Sequence, residues 1–577
     1  MSIKVAELLN VEDKAAQIVY LWDKFYQQKK TKVGEWKELR NYIFATDTTT
    51  TSNSSLPWKN KTTLPKLCQI RDNLHSNYLS SLFPNDNWLK WQAYTLDSAD
   101  VDKANAIEGY MLNKTREGGF RRIMSKLLYD YIDYGNAFAT VSYESTSKTL
   151  DNGETVQGYS GPKVIRISPL DVVFNPLADT FEDSFKIIRS IKTIGEIMNM
   201  SEDEPDSYFY KDALKKRKEI IRKLGSYSIE DNDKAEAFTA DGFGNLKEYY
   251  MSDYVEILEF FGDIRVGDTV ERNKIITVMD RSTVVRDGDI PSWLGRAPIY
   301  HVGWRSRPDN LWSMGPLDNL VGLQYRIDHL ENLKADAMDL VVHPPLEVRG
   351  EVEQFRWGPG ELIHTDENGG VRELTSGMNG VISAANEISA IEARMEQYAG
   401  APSEAMGIRT PGEKTAFEVQ QLQNKAGRIF QEKITSFETE LLENCLNAML
   451  EVARRNMDTI DVVGVMDDDY GVQNFISVTK EDITALGKIR PIGARHFAAQ
   501  AQLMQNLNML MSSPMGQTLM PHMSKKALSD LVSDSLGLDR YQLFKPNVGV
   551  FEDAETARLV SQVQEDIQVE QSQEMVP

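Results

Sequence analysis

Three patterns place this chain of 577 residues in the α+β class, mainly helical. Long segments, notably 11–44, 313–340 and 416–456, carry apolar residues at i, i+3 and i+4. Shorter segments near 137–143 and between 254 and 304 alternate apolar and polar residues between Gly- and Asp-bearing turns, which predicts strands. Between two of the helical stretches lies a compact β-rich insertion, residues 346–376, set off by the prolines of HPPLEV.

Taken in order, Ala15, Ile18, Val19, Trp22 and Phe25, then Val33, Trp36, Leu39 and Ile43, follow helical steps, and Gly34 marks a break between two amphipathic helices. The segment 46–63, containing DTTTTSNSSLPWKNKTT, has no periodicity and predicts a surface loop or flexible excursion. Helical spacing returns at 64–83 and 100–135, where YIDYGNAFATVSYES passes through a glycine into strand-like alternation at Ala137, Ala139, Val141 and Tyr143. Val164, Ile165 and Ile167 predict a strand stopped by Pro169, Val172 to Phe174 a second, and 184–192 a third. KDALKKRKEIIRKLG reads as a charged helix closed by Gly225, and YVEILEFFGDI, NKIITVMDRSTVVRDG and APIYHVGW as further strands.

A different organisation begins at Asn310. Leu317, Leu320, Val321, Leu323, Ile327, Leu330 and Leu333 predict a helix over 313–340, about 40 Å long if continuous. After the β insertion a second helix covers 380–398, and a third runs from Ala416 to about Asn456. The third carries an apolar stripe of Leu422, Ala426, Ile429, Phe430, Phe437, Leu441, Cys445, Leu446 and Met449. Residues 458–489 are acidic and partly strand-like, 494–537 are rich in Met, Gln and Leu at helical spacing, and 552–577 are acidic and Gln-rich.

Composition excludes several classes. With 41% hydrophobic and 26% charged residues the chain is an ordinary globular sequence. No run reaches the roughly 18 apolar residues of a membrane span, and MSIKVAELLNVEDK lacks a signal peptide's apolar core. The expectation is a protein of the cytoplasm or of a particle assembled there. A net charge of −22 argues against wrapping nucleic acid, though it suits a surface that a polyanion must pass without adhering. Cys68 and Cys445 lack C-x-x-C spacing and read as buried thiols.

Motifs for catalysis are missing or broken. In GIRTPGEKT, residues 407–415, Gly407 and Gly412 have Walker A separation, but Glu413 intrudes before Lys414 and Thr415 and sets a carboxylate where phosphates would sit. The preceding segment is helical rather than a strand. The seven histidines form no H-x-x-x-H or H-E-x-x-H group, and MDDDYG at 466–471 has no glutamate at the twelfth position of a calcium loop. No G-x-S-x-G occurs, and Cys68 has no sequence-evident His partner. The expectation is a non-enzyme with no cofactor and no metal.

One order of parts stands out: helix, small β insertion, returning helix, glycine-punctuated basic loop, very long helix. Together with SPLDVVFNPLADTFEDSFKIIRSIK and WRSRPDNLWSMGPLDNLVGLQYRIDHLENLKADAMDLVVHPPLEV it resembles the portal, or head-to-tail connector, proteins of tailed bacteriophages, particularly short-tailed phages. The resemblance covers most of 10–500, and its most specific parts are 304–350 and 400–450.

That resemblance implies a ring, usually of twelve subunits, at one capsid vertex, through which double-stranded DNA is packaged and ejected. It implies a wing from 1–312, stem helices at 313–341 and 379–399, a clip at 342–378, a tunnel loop at 400–415, a long wing helix with following strands at 416–489, and a crown with acidic tail at 490–577. The clip would face the terminase large subunit and later tail adaptor proteins, with Arg349, Arg356 and Trp357 as its contact residues or simply solvated. Capsid and scaffolding proteins would be further partners, and no membrane is involved. The virion would be the final location, after assembly in the host bacterial cytoplasm. In the tunnel loop, Gly407 and Gly412 would give mobility, and Arg409 and Lys414 would touch DNA phosphates in passing or pair with Glu404 and Glu413. Trp304, Trp312 and Trp357 are candidates for subunit interfaces or for the core. A packaging ATPase, a tail adaptor or other structural ring, and a host scaffold are the rival readings.

Overall fold

The structure, a computed structural model, describes residues 13–83 without 46, 88–94, 101–149, 155–203, 213–218, 253–266, 269–342, 345–350, 370–373, 378–399, 429–457, 460–467, 472–483 and 486–491. The chain divides into two units, Met1–Pro491 and Ile492–Pro577. All described residues belong to the first, so the helices expected in 494–537 and the tail 552–577 lie outside them. The first unit is α+β, as expected.

Helix α1, Lys14–Phe44, is one continuous rod. Its first turn is capped by Asp13, whose Oδ1 accepts from the amides of Ala15 at 2.9 Å and Ala16 at 3.4 Å. The break expected at Gly34 does not occur. A glycine inside a helix costs about 1 kcal/mol, and buried Trp22 and Phe25 before it and Trp36 and Leu39 after it anchor both halves more strongly than that.

The apolar face of α1 covers a five-stranded antiparallel sheet in the order β4, β5, β6, β7, β8, formed by Val172–Phe174, Lys186–Thr193, Tyr254–Val266, Thr269–Met279 and Thr283–Asp289. Strand alternation divides its residues between two faces. Val173, Ile187, Phe260 and Ile276 are successive cross-strand partners and meet Ile18, Leu21, Trp22 and Phe25 of α1. Their neighbours Val172, Phe174, Ile188, Phe261 and Ile275 turn to the other face.

There they join a second sheet, ordered β3, β2, β9, from Thr155–Ile167, Asn136–Thr149 and Ile299–Gly303. Phe138, Phe174, Phe181, His301 and Trp312 form the aromatic centre between the two sheets. His301 Nε2 donates to Asn136 Oδ1 at 3.0 Å, and burial pushes its imidazole down to about 3, so it is a neutral core group. Helix α5, Ile194–Asp203, and residues 213–218 close a smaller cluster with Val255, Ile257, Met279 and Val285.

Helices α2, Lys66–Leu82, α3, Val101–Glu117, and α4, Phe120–Asp133, complete the N-terminal half, with α3 and α4 separated at Gly119, whose φ is 65°. The one helical stretch expected over 100–135 is therefore two. Strand β1, Leu89–Ala93, pairs antiparallel with β16, Gly487–Pro491, and so ties the early chain to the end of the described unit. The turn after β7 places Asp280 and Arg281 at φ of 49° and 56°. Left-handed backbone disfavours a long side chain, and here Arg281 is held by a two-pronged contact to buried Glu256 at 2.9 and 3.2 Å and by Asp23 of α1 at 3.2 Å.

A single lysine fixes the joint between α1 and the sheets. Buried Lys29 donates to the carbonyls of Pro169, Leu170 and Val172 at 2.8, 2.8 and 2.9 Å, matching its three protons to the end of the short helical turn Pro169–Asp171. Replacing Lys29 with Met keeps the apolar stem and leaves these carbonyls without their donor. The expected outcome is a loss of at least about 2 kcal/mol in urea unfolding; unchanged stability would mean that the amine is not their partner.

Candidate functional site

The segment that the sequence singles out folds as a projecting hairpin. Strands β10, Arg305–Arg307, and β11, Asn310–Met314, form a small ribbon, followed by Gly315, Pro316 and a single turn at Asp318–Leu320. Helix α6 then runs from Val321 to Val342, so it starts eight residues later than the expected 313 and spans about 33 Å rather than 40 Å. The later start has a local cause: residues 310–314 are paired in β11, and Gly315 is pressed against Gly135, where an added Cβ would stand 2.3 Å from the Gly315 amide.

Beyond α6, β12, Leu346–Arg349, and β13, Gly370–Glu373, pair antiparallel with Leu346 opposite Glu373 and Arg349 opposite Gly370. Helix α7, Met378–Tyr398, returns against α6. Its direction follows from contacts at the start of α2: Lys66 binds Glu396 near the end of α7 at 2.7 Å, while the Leu67 amide donates to Gln324 near the start of α6 at 3.3 Å. The two helices are therefore antiparallel, with the β ribbon at their far end.

What fixes α6 is polar. Gln324, Asp328, Asn332 and Asp336 recur every four residues, and each binds the backbone of the segment leading into α2. Gln324 Nε2 donates to the Leu64 carbonyl at 2.7 Å, and Asp328 Oδ1 accepts from the Leu64 amide at 3.1 Å. Asn332 brackets Thr62, accepting from its amide and donating to its carbonyl, both at 2.8 Å. Asp336 accepts from the amides of Asn60 at 3.0 Å and Lys59 at 3.2 Å. Four helical residues rise about 6.0 Å and two extended residues about 6.6 Å, so from Asp328 onward every fourth side chain of α6 meets every second residue of the strap, at Leu64, Thr62 and Asn60.

Segment 46–63, expected as a loose surface excursion, is thus a strap packed on the hairpin from Asp47 onward. Thr48, Thr51, Asn53, Trp58 and Thr63 are buried within it, Asp47 bridges to Thr62, and the Trp58 ring lies 5.2 Å from that of His329. The residues missed by sequence reasoning are the four polar side chains. Their signal was their strict fourfold spacing, overshadowed by the leucines around them.

The apolar pattern of the hairpin divides in two. Leu317, Leu320 and Ile327 on one side and Ile388, Ile391, Met395 and Ala399 on the other are buried near the body. Farther out, Leu333, Met338, Leu340, Val342, Val348 and Ile382 stay exposed. The charges of both helices lean acidic: Asp328, Glu331, Asp336 and Asp339 against Arg326 and Lys334 on α6, and Glu387, Glu392 and Glu396 against Arg394 on α7.

Of the sequence-derived site residues, Arg349 lies on β12, exposed, with its guanidinium on Glu347 at 2.9 Å. Arg356, Trp357, Gly407, Arg409, Gly412, Glu413 and Lys414 lie outside the described residues. Trp304 and Trp312 are intrasubunit core residues, Trp304 donating to Tyr78 Oη at 3.2 Å. The long third helix is described from 429 and contains a π segment at Phe437–Leu442 before α8, Glu443–Asn456. Phe437, Leu441, Cys445, Leu446 and Met449 of its stripe are buried, whereas Ile429 is exposed.

Among the described residues no group of three or more His, Cys, Asp or Glu side chains converges to hold a metal ion, and no helix is long and apolar enough to cross a membrane. The sequence matches no protein-family model and no curated protein.

Burial pushes the Asp328 carboxyl up to about 6, against the Leu64 amide and Gln324, which favour its charged form. A carboxyl raised from 3.8 in this way favours folding most below its unfolded value, and that contribution is lost as pH rises through about 6. Asp328→Asn keeps an acceptor for Leu64 and Gln324 without the charge. It is expected to be more stable than the parent at pH 7.5 by about 1–2 kcal/mol, an advantage that fades towards pH 4. Melting curves across this range decide, and a variant less stable at neutral pH would show that the ladder uses the charge.

Proposed function

We propose that the chain is the subunit of a phage portal ring, conducting genomic double-stranded DNA into and out of a capsid at one vertex of the virion. The observation that carries this reading is the hairpin of α6 and α7. It is a long antiparallel helical pair, tipped by a β ribbon, with apolar side chains left exposed along its outer half and an excess of carboxylates.

Exposed apolar residues arranged along a projecting element mark an interaction surface. In a ring each hairpin would lie between two others, covering Leu333, Met338, Leu340 and Ile382, with exposed carboxylates such as Asp339 and Glu387 repeated around the axis. Carboxylates repeated around that axis would hold no phosphates, which suits a conduit whose cargo must slide without adhering. The β ribbon at the far end is then free to dock the terminase large subunit during packaging and tail adaptor proteins afterwards, and the body to meet capsid and scaffolding proteins. No chemical step is assigned to the subunit, and no cofactor is required by this role.

Native mass spectrometry with negative-stain class averages tests the proposal. The expected result is a closed ring with a central hole, near twelve subunits, for the parent chain. Met338→Glu combined with Leu340→Glu adds charge to exposed positions and should shift the mass towards monomer while leaving the melting curve of the folded body in place. A parent chain that stays monomeric and hydrolyses ATP would overturn the portal reading in favour of a motor.

A further inference from the structure

A cleft of about 580 Å³ opens beside the C-terminal half of α1, far along the sequence from the hairpin. Trp36, Lys37, Arg40, Asn41 and Phe44 of α1 line it together with Tyr134, which follows α4. Its volume falls within the roughly 300–1,000 Å³ of sites that bury a small ligand.

The chemistry of the lining is one-sided. Trp36, Lys37 and Arg40 carry only hydrogen-bond donors, and no carboxylate lines the cleft. The nearest acid in sequence to Tyr134, Asp133, has its two oxygens taken by Arg71 at 2.6 and 2.8 Å. Lys37 and Arg40 are exposed, and the charge of Arg40 acts on the Asp133 carboxyl and the Tyr134 hydroxyl without holding either in a hydrogen bond. The Trp36 ring is almost wholly buried, and its Nε1 proton has no acceptor among the described residues. A buried donor without a partner is costly, and two exposed cations stand beside it on a chain of net charge −22. Trp36 and Tyr134, edge to face at 5.1 Å, are buried behind the lining, and Phe44 presents the exposed ring, with the Arg71 guanidinium 5.3 Å from its centroid.

Donors, paired cations and aromatic surface call for an acceptor-rich anion with a flat body. We propose that this cleft binds a nucleotide, its base against the exposed Phe44 ring and its phosphate at Lys37 and Arg40. Base stacking on aromatic side chains and cation contact to phosphate are the two contributions that such a site combines. The inference depends on α1, Tyr134 and Leu170 and is independent of the ring reading. The bound unit could come from a free nucleotide or from the end of a nucleic-acid strand, and both present the same chemistry.

Isothermal titration of the full-length protein with AMP, and separately with a short single-stranded oligothymidylate, tests the site. Two variants accompany it: Lys37→Glu with Arg40→Glu, which reverses exposed charges, and Ala45→Trp, which fills the cleft at a lining position. Saturable binding is expected for at least one probe, weakened at least about tenfold by the charge reversal, reduced by added salt, and lost in Ala45→Trp. Binding of AMP alone identifies a free nucleotide as the ligand; binding of the oligonucleotide, displaced by AMP, identifies a strand end. Absence of saturable heat with both probes, or binding that survives both variants in protein with parental melting behaviour, overturns the proposal.

Discussion

Four side chains on α6, Gln324, Asp328, Asn332 and Asp336, take the place that a neighbouring strand would occupy for the strap, and the geometry of the hairpin depends on this match of spacings. Backbone amides and carbonyls taken out of water need partners, and a helix cannot offer its own because they are engaged along its axis. Side chains with both donor and acceptor atoms solve the problem, as Asn332 does for the amide and carbonyl of Thr62. Each such bond contributes only about 1 kcal/mol, but breaking one strands a buried group at a larger cost. The ladder therefore acts more through register than through strength: sliding α6 by one residue would unpartner several backbone groups at once.

The strap connects α1 to α2, so this register reaches the rest of the subunit. Helix α1 covers one face of the five-stranded sheet through Ile18, Leu21, Trp22 and Phe25, and its later residue Trp36 enters the aromatic centre on the other side. Lys29 pins the same helix to the turn before β4. One rod thus touches both layers of the body and, through the strap, the projecting hairpin. A displacement at the hairpin base would be passed to the sheets through packed side chains and matched hydrogen bonds, since the interior has few empty spaces to absorb it.

Much of this was legible in the sequence wherever one period dominated. The alternation in 254–289 became β6, β7 and β8, and the apolar steps of 64–83 became α2. The helix, β insertion and returning helix also appeared in the expected order. Legibility failed where tertiary partners decided. Gly34 looked like a break, but burial on both sides held the helix together. Leu317 and Leu320 extended the apolar pattern backwards into a strand and a turn, so the helix seemed longer than it is. The strap has no period of its own because its order comes from α6, and a Ser/Thr-rich stretch carries no local mark of a partner about 270 residues away. Leu333 reads as a core position from spacing alone, and the folded chain leaves it exposed.

Charge completes the account. Cations of the body are met one by one: Arg281 by Glu256, Arg71 by Asp133 and Arg166 by Asp130, while the buried Lys29 amine donates to carbonyls. Such pairing confines positive charge to fixed partners, and the chain's excess of acids is left to the exposed surface. A single subunit gains little from this beyond solubility. If the hairpin recurs around an axis, the same excess becomes a closed wall of one sign, and in a narrow opening with low-dielectric walls its field is focused rather than dispersed. A wall of that kind would follow from how the chain settles its interior charges, and Lys37 and Arg40 of the α1 cleft stand apart from it as exposed cations.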